Sequence, residues 1–254
     1  MRTLLGSILI SLALAGASHA GTPLDPTGEL SGFVPPNKYF AKCERWVNKR
    51  ARIATMCVMQ CHKKAVASAY RNLVFDEEGC EDVCRTKYEE QVARLKPGTC
   101  PPCLDLPARN AQYAFYENLA EQMAGVYYCD PGGAPIGSDD SGYVPTLVNV
   151  LNCEQRIGLN AMKLVKCIKD KCHRKLADSL FSRTGTFNEP DCSETDPVNS
   201  CLARFETDNL SLVDCPSCID ATSEQRQVFD QIEAQLDSLN GQIYCASAGG
   251  AFVD

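Results

Sequence analysis

The stretch Cys57-Val58-Met59-Gln60-Cys61, followed by Cys80-Glu81-Asp82-Val83-Cys84, predicts how this chain folds. Two cysteines four residues apart lie one above the other on one face of an α-helix. A pair on each side of a turn can therefore join two antiparallel helices by two bridges. The spacing predicts Cys61–Cys80 next to the turn and Cys57–Cys84 one helical turn farther away, on a single helical hairpin.

A third bridge extends this ladder away from the turn. Cys43 lies two heptads before Cys57, and its mirror position on the second helix falls beside Cys100. Cys100 directly follows the region of Pro97-Gly98, a pair that ends a helix. We therefore predict the bridge Cys43–Cys100.

The second half of the chain repeats the first half. Ser31-Gly32-Phe33-Val34-Pro35 returns as Ser141-Gly142-Tyr143-Val144-Pro145, and the sixteen cysteines divide into two sets of eight in the same order. Such self-similarity indicates a tandem repeat of one structural unit. The corresponding bridges predicted for the second half are Cys153–Cys215, Cys167–Cys201 and Cys172–Cys192.

Each unit is predicted to hold three helices and almost no strand. The fold class is thus all-α, with two tandem disulfide-stapled three-helix units. Apolar periodicity places the first helices over about residues 37–72 and 147–181. The second helices begin at the N-caps Asp76 and Asn188 and end near residues 95 and 209. The third helices span about residues 104–124 and 218–239.

The second unit is expected to be less regular than the first. On straight α-helices, the five-residue step from Cys167 to Cys172 would rotate the second side chain off the seam. Pro190 and Pro197 are expected to break the second helix.

Four cysteines are left without an assigned partner. A helix of about twenty residues spans about 30 Å, too far for Cys103 to meet Cys129 unless the third segment bends back. The sequence leaves the pairing of Cys103, Cys129, Cys218 and Cys245 open.

The beginning of the chain predicts export. Residues 1–20 combine Arg2, an apolar run and a small-residue exit at Ala20, the pattern of a cleaved signal peptide. The even number of cysteines points to disulfides in an oxidising compartment. No later stretch has the length of apolar residues needed for membrane insertion. We expect a secreted or periplasmic protein, and its net charge of −7 argues against a nucleic-acid partner.

Composition sets the remaining boundaries. We predict an extended N-terminal arm at 21–36, the first repeat at 37–129, a Gly-, Pro-, Ser- and Asp-rich linker at 130–146, the second repeat at 147–245 and a C-terminal tail at 246–254.

The Cys-His pairs offer an alternative function. Cys57-x-x-x-Cys61-His62 and Cys167-x-x-x-x-Cys172-His173 resemble the looser attachment motifs of c-type haem, which implies a diheme electron-transfer protein. Against it, every one of these cysteines has a matched disulfide partner, and no third histidine follows residue 20. The competing interpretation makes both histidines surface residues beside Lys and Arg side chains.

The Cys-Pro-x-Cys motifs offer a second alternative. Cys100-Pro-Pro-Cys103 and Cys215-Pro-Ser-Cys218 look like the dithiols of thiol-disulfide oxidoreductases. That chemistry normally sits on a strand–turn–helix, and no strand precedes either motif. A bridge from Cys100 to Cys43 would exclude it. Four-cysteine zinc is disfavoured by the oxidising compartment, and no spacing in the acidic linker matches a calcium loop.

Two resemblances bear on the fold. The Cys57-to-Cys84 segment resembles the twin-CX3C helical hairpins of plant α-hairpinins and of small mitochondrial intermembrane chaperones. The whole unit, with its Cys-His, Cys-Pro-Pro-Cys and Tyr-Cys phrases, is similar to secreted cysteine-rich tandem-repeat proteins of bacteria without a known activity. The α-hairpinin resemblance implies a protease-inhibiting loop at 70–79, with Arg71 as its primary residue and Arg183 in the second unit.

These observations favour an exported disulfide-rich helical protein with a binding or structural role rather than a catalytic one. We expect no cofactor, no metal and no enzymatic activity, and a partner that is an extracellular or periplasmic protein or surface.

Overall fold

The computed structural model describes residues 22–25, 30–137, 140–184 and 187–246. The predicted signal peptide and most of the predicted tail lie outside these residues. Within them the chain is mainly helical, with eight disulfides that use all sixteen cysteines of the sequence. Seven α-helices are present in the described ranges: α1 Lys38–Tyr70, α2 Glu77–Val92, α3 Leu106–Tyr127, α4 Val148–Cys167, α5 Arg174–Ser182, α6 Cys201–Asn209 and α7 Thr222–Ser238.

The first two helices form the predicted hairpin. The Asn37 side chain accepts hydrogen bonds from two backbone N–H groups at the start of α1, and Asp76 caps α2 by accepting from the N–H of Gly79. The bridges Cys57–Cys84 and Cys61–Cys80 join the facing sides of these helices, and Cys43–Cys100 closes the open end. These are the pairings that the sequence spacing predicts.

A π-helical turn in the second half absorbs the additional residue between Cys167 and Cys172. Residues Ile168–His173 join α4 to α5 without a break, with backbone hydrogen bonds that span five residues rather than four. The five-residue step therefore returns Cys172 to the face that carries Cys167. Cys167–Cys201 and Cys172–Cys192 both form, as does Cys153–Cys215.

The second helix of this half is interrupted, as its prolines predict. A second π-helical turn, Asp191–Thr195, follows Pro190, and α6 begins only at Cys201, beyond Pro197. Two short 3-10 turns, Pro102–Leu104 and Asn240–Gln242, lie next to the third helices.

The segment predicted as a linker, 130–146, contains two paired β-strands that the sequence did not predict. Strands β1, Ala134–Gly137, and β2, Asp140–Val144, pair antiparallel with Ala134 opposite Val144. Gly137 has φ +126°, a conformation that side chains disfavour, at the end of β1. The strands are too short and too rich in glycine and proline to show the alternating pattern from which strands are predicted.

Two bridges connect the first half of the chain, 37–129, to the second half, 147–245. Cys103 pairs with Cys245, and Cys129 pairs with Cys218. In each bridge, a cysteine that precedes the third helix of one half bonds to a cysteine that follows the third helix of the other half. The third segment does not bend back on itself. The four cysteines left open by the sequence are resolved in this way.

The repeated Ser-Gly phrases also cross between the halves. Ser31 Oγ donates to the carbonyl of Asp237 at 2.6 Å and accepts from the N–H of Gly241 at 2.8 Å, at the end of α7. Ser141 Oγ makes the same contacts with Glu121 and Gly125 near the end of α3, at 2.6 and 3.1 Å. A Cβ on Gly125 would lie 2.6 Å from that hydroxyl oxygen, so only glycine permits this approach.

One apolar core runs through both halves. It includes Val47 and Val58 of α1, Ile157 and Val165 of α4 and Phe229 of α7, all fully buried. Among the helices of the described ranges, none combines the length and apolar character needed to cross a bilayer.

Candidate functional site

Both histidines of the repeated Cys-His motifs are buried, so the expectation that they are surface residues is wrong. His62 Nε2 lies 2.9 Å from Glu81 Oε1 on α2, and His173 Nε2 lies 2.7 Å from Asp237 Oδ1 on α7. Both histidines are buried because the first helix of each half packs against more elements than its partner in a two-helix hairpin.

The cysteines of the haem-like motifs are all engaged in bridges. Cys57 bonds to Cys84 and Cys61 to Cys80, while Cys167 and Cys172 bond to Cys201 and Cys192. Covalent haem attachment requires both sulfurs of a motif. With these pairings, the Cys-His motifs are structural and the diheme alternative has no attachment point.

The Cys-Pro-x-Cys motifs are likewise divided between different bridges. Cys100 bonds to Cys43 rather than to Cys103, and Cys215 bonds to Cys153 rather than to Cys218. A dithiol redox centre requires its two sulfurs to bond to one another. This geometry excludes the thiol-disulfide alternative as the sequence stated it.

A cavity in the second half is lined by Asp237, the hydrogen-bond partner of His173. This cavity has a volume of about 490 Å³ and lies between the N-terminal arm, α5, the segment around the second π-helical turn, and α7. One group of lining residues is apolar and another is acidic, and we call the space the acidic cavity. The apolar residues are Leu24, Leu30, Leu176, Leu180 and Phe187, and the acidic ones are Asp25, Glu189, Glu194, Glu233 and Asp237.

Two of the cavity carboxyls share a hydrogen bond. Burial raises the pKa of Glu233, and the hydrogen bond to Glu194 raises it further. The pKa of Glu194 is lowered by the same bond and by Arg226, whose guanidinium lies 2.8 Å away. The two carboxyls therefore titrate as a pair, and their opposite pKa shifts favour one shared proton and one negative charge near neutral pH.

Three other ionisable groups that interact with Asp237 also have shifted pKa values. Burial, followed by the nearby Asp237, raises the pKa of Glu189 to about 7. Burial lowers the pKa of Lys169 to about 7, against the opposing effect of Asp237. Burial also lowers the pKa of His173, although its hydrogen bond to Asp237 acts in the other direction. Groups shifted in this way, gathered beside a cavity, are typical of functional sites.

No family model, curated protein or solved structure matches this chain.

Function therefore has to be inferred from the geometry of the sites, of which the acidic cavity is the most elaborate. Sequence reasoning missed it because its walls come from four separate segments. One signal was present. Lys169 occupies the position after Cys167 that Met59 occupies after Cys57, and a lysine in an apolar seam indicates a specialised site.

Basic grooves lie between the first and second helices of both halves. The groove of the second half encloses about 590 Å³ and carries Lys166, Lys171, Lys175 and Arg204, and burial followed by these neighbouring cations lowers the pKa of Lys171. The smaller groove of the first half, about 240 Å³, carries Lys87 at the position equivalent to Arg204. These basic side chains are separated along the sequence, and folding brings them together.

The two arginines suggested by the α-hairpinin resemblance lie at chain turns. Arg71 follows α1 and is exposed, next to Leu73 and the fully exposed Val74. Arg183 follows α5 in the left-handed conformation with φ +56°. The structure brings neither arginine to the acidic cavity.

Proposed function

We propose that this protein is an exported, non-catalytic binding protein built from two tandem three-helix units, and that its acidic cavity takes a cationic ligand with an apolar body. The observation that carries the proposal is that the cavity lining combines carboxyl side chains with leucine side chains. A primary alkylammonium group has this dual character. It can come from a free amine or from a lysine side chain of an extracellular partner protein.

The cavity supplies a charge where an ammonium group would bind. The hydrogen-bonded pair of Glu194 and Glu233 favours one negative charge, and Asp237 is also part of the cavity lining. A hydrogen bond between an ammonium group and a carboxylate is stronger than one between neutral groups. The leucine side chains would contact the methylene groups, at about 25 cal/mol for each Å² removed from water.

We favour the acidic cavity over the basic grooves as the binding site because the ionisable groups in and near it lower the free energy of unfolding. Keeping Lys169, Glu189 and Glu233 buried opposes folding, since each group is taken out of water. The cations of the grooves are more exposed, and salt screens exposed charges. A protein that retains the costlier arrangement is expected to use it.

Export and the paired architecture rest on further observations. Eight intramolecular bridges are typical of proteins from oxidising compartments. The tandem-unit interpretation is supported by the matching contacts of Ser31 and Ser141 and by the reciprocal bridges Cys103–Cys245 and Cys129–Cys218.

The proposal is tested by calorimetry on the fully oxidised protein with hexylammonium, hexan-1-ol and a short lysine-containing peptide. We expect hexylammonium to bind and hexan-1-ol to bind far more weakly, since the alcohol lacks the charge. Binding of the peptide as well would indicate a protein partner, and binding of the free amine alone a small-molecule ligand.

Matched variants localise the binding. Glu194→Gln is expected to weaken hexylammonium binding roughly tenfold or more, because it removes the negative charge of the carboxyl pair. Glu224→Gln removes a carboxylate from the partly exposed first turn of α7, outside the cavity lining, and is expected to leave the affinity within about twofold. Equal binding of amine and alcohol, or equal affinities of the two variants, would contradict the proposal.

A further inference from the structure

A second cluster of ionisable groups lies at the turn-proximal end of the first hairpin. His62 of α1 faces Glu77 and Glu81 of α2, with its Nε2 atom 2.9 Å from Glu81 Oε1 and 4.0 Å from Glu77 Oε1. One ligand atom from each residue lies within 4.8 Å of the other two. We call these three residues the His62 cluster.

The disulfide ladder holds this cluster in place. His62 directly follows Cys61, and Glu81 directly follows Cys80, so the bridge between those cysteines fixes the separation of the two side chains. Glu77 lies one helical turn before Glu81, on the same face of α2. The cluster therefore sits on two rigid helices, as a preorganised site requires.

The His62 cluster combines one imidazole and two carboxyl groups, which are the side chains that bind divalent cations. The His62 side chain is fully buried, and those of Glu81 and Glu77 are 6% and 16% exposed. A proton on Nε2 can be donated to Glu81 Oε1, 2.9 Å away. A divalent ion between the imidazole and the two carboxylates would be attracted by both carboxylates, and low exposure to solvent strengthens that attraction.

We propose that the His62 cluster binds one divalent metal ion of the zinc class, through His62 Nε2 and one carboxylate oxygen each of Glu77 and Glu81. Ligands of tetrahedral zinc lie about 2.0–2.2 Å from the metal, hence about 3.4 Å apart. The distances from His62 Nε2 to the carboxylate oxygens of Glu81 and Glu77 are 2.9 and 4.0 Å, one below and one above this value. An imidazole ligand disfavours Mg²⁺ and Ca²⁺, which prefer oxygen alone.

The second half provides an internal comparison. By the alignment of Cys80 with Cys192, Glu189 occupies the position of Glu77, but Ser193 replaces Glu81. His173 instead pairs with Asp237 of α7. A serine hydroxyl is not among the usual zinc ligands. The geometry thus assigns one metal to each chain, in the first half.

The test is a calorimetric titration of the metal-free, fully oxidised protein with Zn²⁺, with Co²⁺ and Mg²⁺ as comparisons. We expect one Zn²⁺ per chain, a tetrahedral-type visible absorption for Co²⁺, and no competition by Mg²⁺. His62→Gln and Glu77→Gln are expected to weaken Zn²⁺ binding roughly 100-fold and tenfold, respectively. Glu77→Gln is expected to disturb folding less than His62→Gln, because Glu77 lies at the first position of α2.

Two controls make the outcome decisive. Glu78→Gln changes the neighbouring exposed carboxylate, and His173→Gln changes the equivalent histidine; both are expected to bind Zn²⁺ as the unmodified protein does. Absence of binding, or equal loss in Glu77→Gln and Glu78→Gln, would overturn the metal site. The result is independent of the alkylammonium proposal, which concerns residues of the second half.

Discussion

At the residue scale, this protein buries ionisable side chains among the residues of its apolar core. Met59 and Lys169 occupy equivalent positions, and both are fully buried. The ammonium nitrogen of Lys169 lies 5.4 Å from the centre of the Tyr116 ring, and burial lowers its pKa to about 7. A lysine in such a place lowers stability, because its charged form is poorly solvated.

Lys169→Met is therefore expected to stabilise the fold. Replacing buried charge by a side chain of similar volume raises the free energy of unfolding by roughly 1–4 kcal/mol. The folded-state pKa is lowered, so the cost of Lys169 is fully present below about pH 7 and fades as the pH rises toward the unfolded value of 10.5. The gain should thus be larger at about pH 6 than at about pH 9.5.

Urea unfolding with the bridges intact measures this gain at both pH values. Lys166→Met changes an exposed lysine of α4 and serves as the control, with little expected effect. A destabilised Lys169→Met variant, or a gain that grows with pH, would show that the ammonium group is better solvated in the fold than its burial indicates.

At the scale of elements, the repeated Ser-Gly phrase has a structural role that the sequence pattern did not disclose. Each serine hydroxyl bridges a carbonyl near the end of a third helix and the N–H of a nearby glycine, Gly125 in the last turn of α3 and Gly241 just after α7. Helix ends carry carbonyl groups without intrahelical partners. The phrase is repeated because each half supplies this contact to the other.

Ser31→Ala and Ser141→Ala are each expected to lower the free energy of unfolding by about 0.5–2 kcal/mol, since each leaves a carbonyl and an N–H group without this partner. Ser211→Ala, at an exposed position between α6 and α7, should have an effect near zero. Chemical denaturation of the three variants provides the measurement. Equal stabilities would mean that water replaces the serine hydroxyls without cost.

At the scale of the whole molecule, the two halves are interlocked rather than strung in series. Cys103–Cys245 and Cys129–Cys218 cross between them, and the N-terminal arm packs against α7. The β-hairpin between the halves is therefore not the only covalent connection. The acidic cavity depends on this arrangement, because Leu24 and Leu30 of the arm form part of its wall.

Cutting the chain at a protease site inserted after Gly137 tests the interlock. We expect the cut protein to migrate as a single species without reductant and as two fragments after reduction, because two bridges still join the halves. The variant with all four of these cysteines changed to serine is the control and should separate under denaturing conditions even without reductant. Separation of the cut parent protein before reduction would refute the crossed pairing.

The sequence by itself determined the main helices and the three bridges within each half. Helix periodicity converts the spacing of Cys57, Cys61, Cys80 and Cys84 directly into a stapled hairpin, since both pairs depend only on local geometry. The break near Pro197 followed from the chemistry of proline in the same way. The hairpin at 134–144 was missed, because short strands rich in glycine carry no clear pattern.

Only the tertiary structure decided how the halves combine and where ionisable groups gather. The crossed bridges, the burial of His62 and His173 and the acidic cavity all join residues far apart in the chain. Spacing along a helix determines which side chains share a face, but not which distant element covers that face. The pairing of distant surfaces depends on shape and burial in three dimensions, and these properties emerge only when the whole chain is packed.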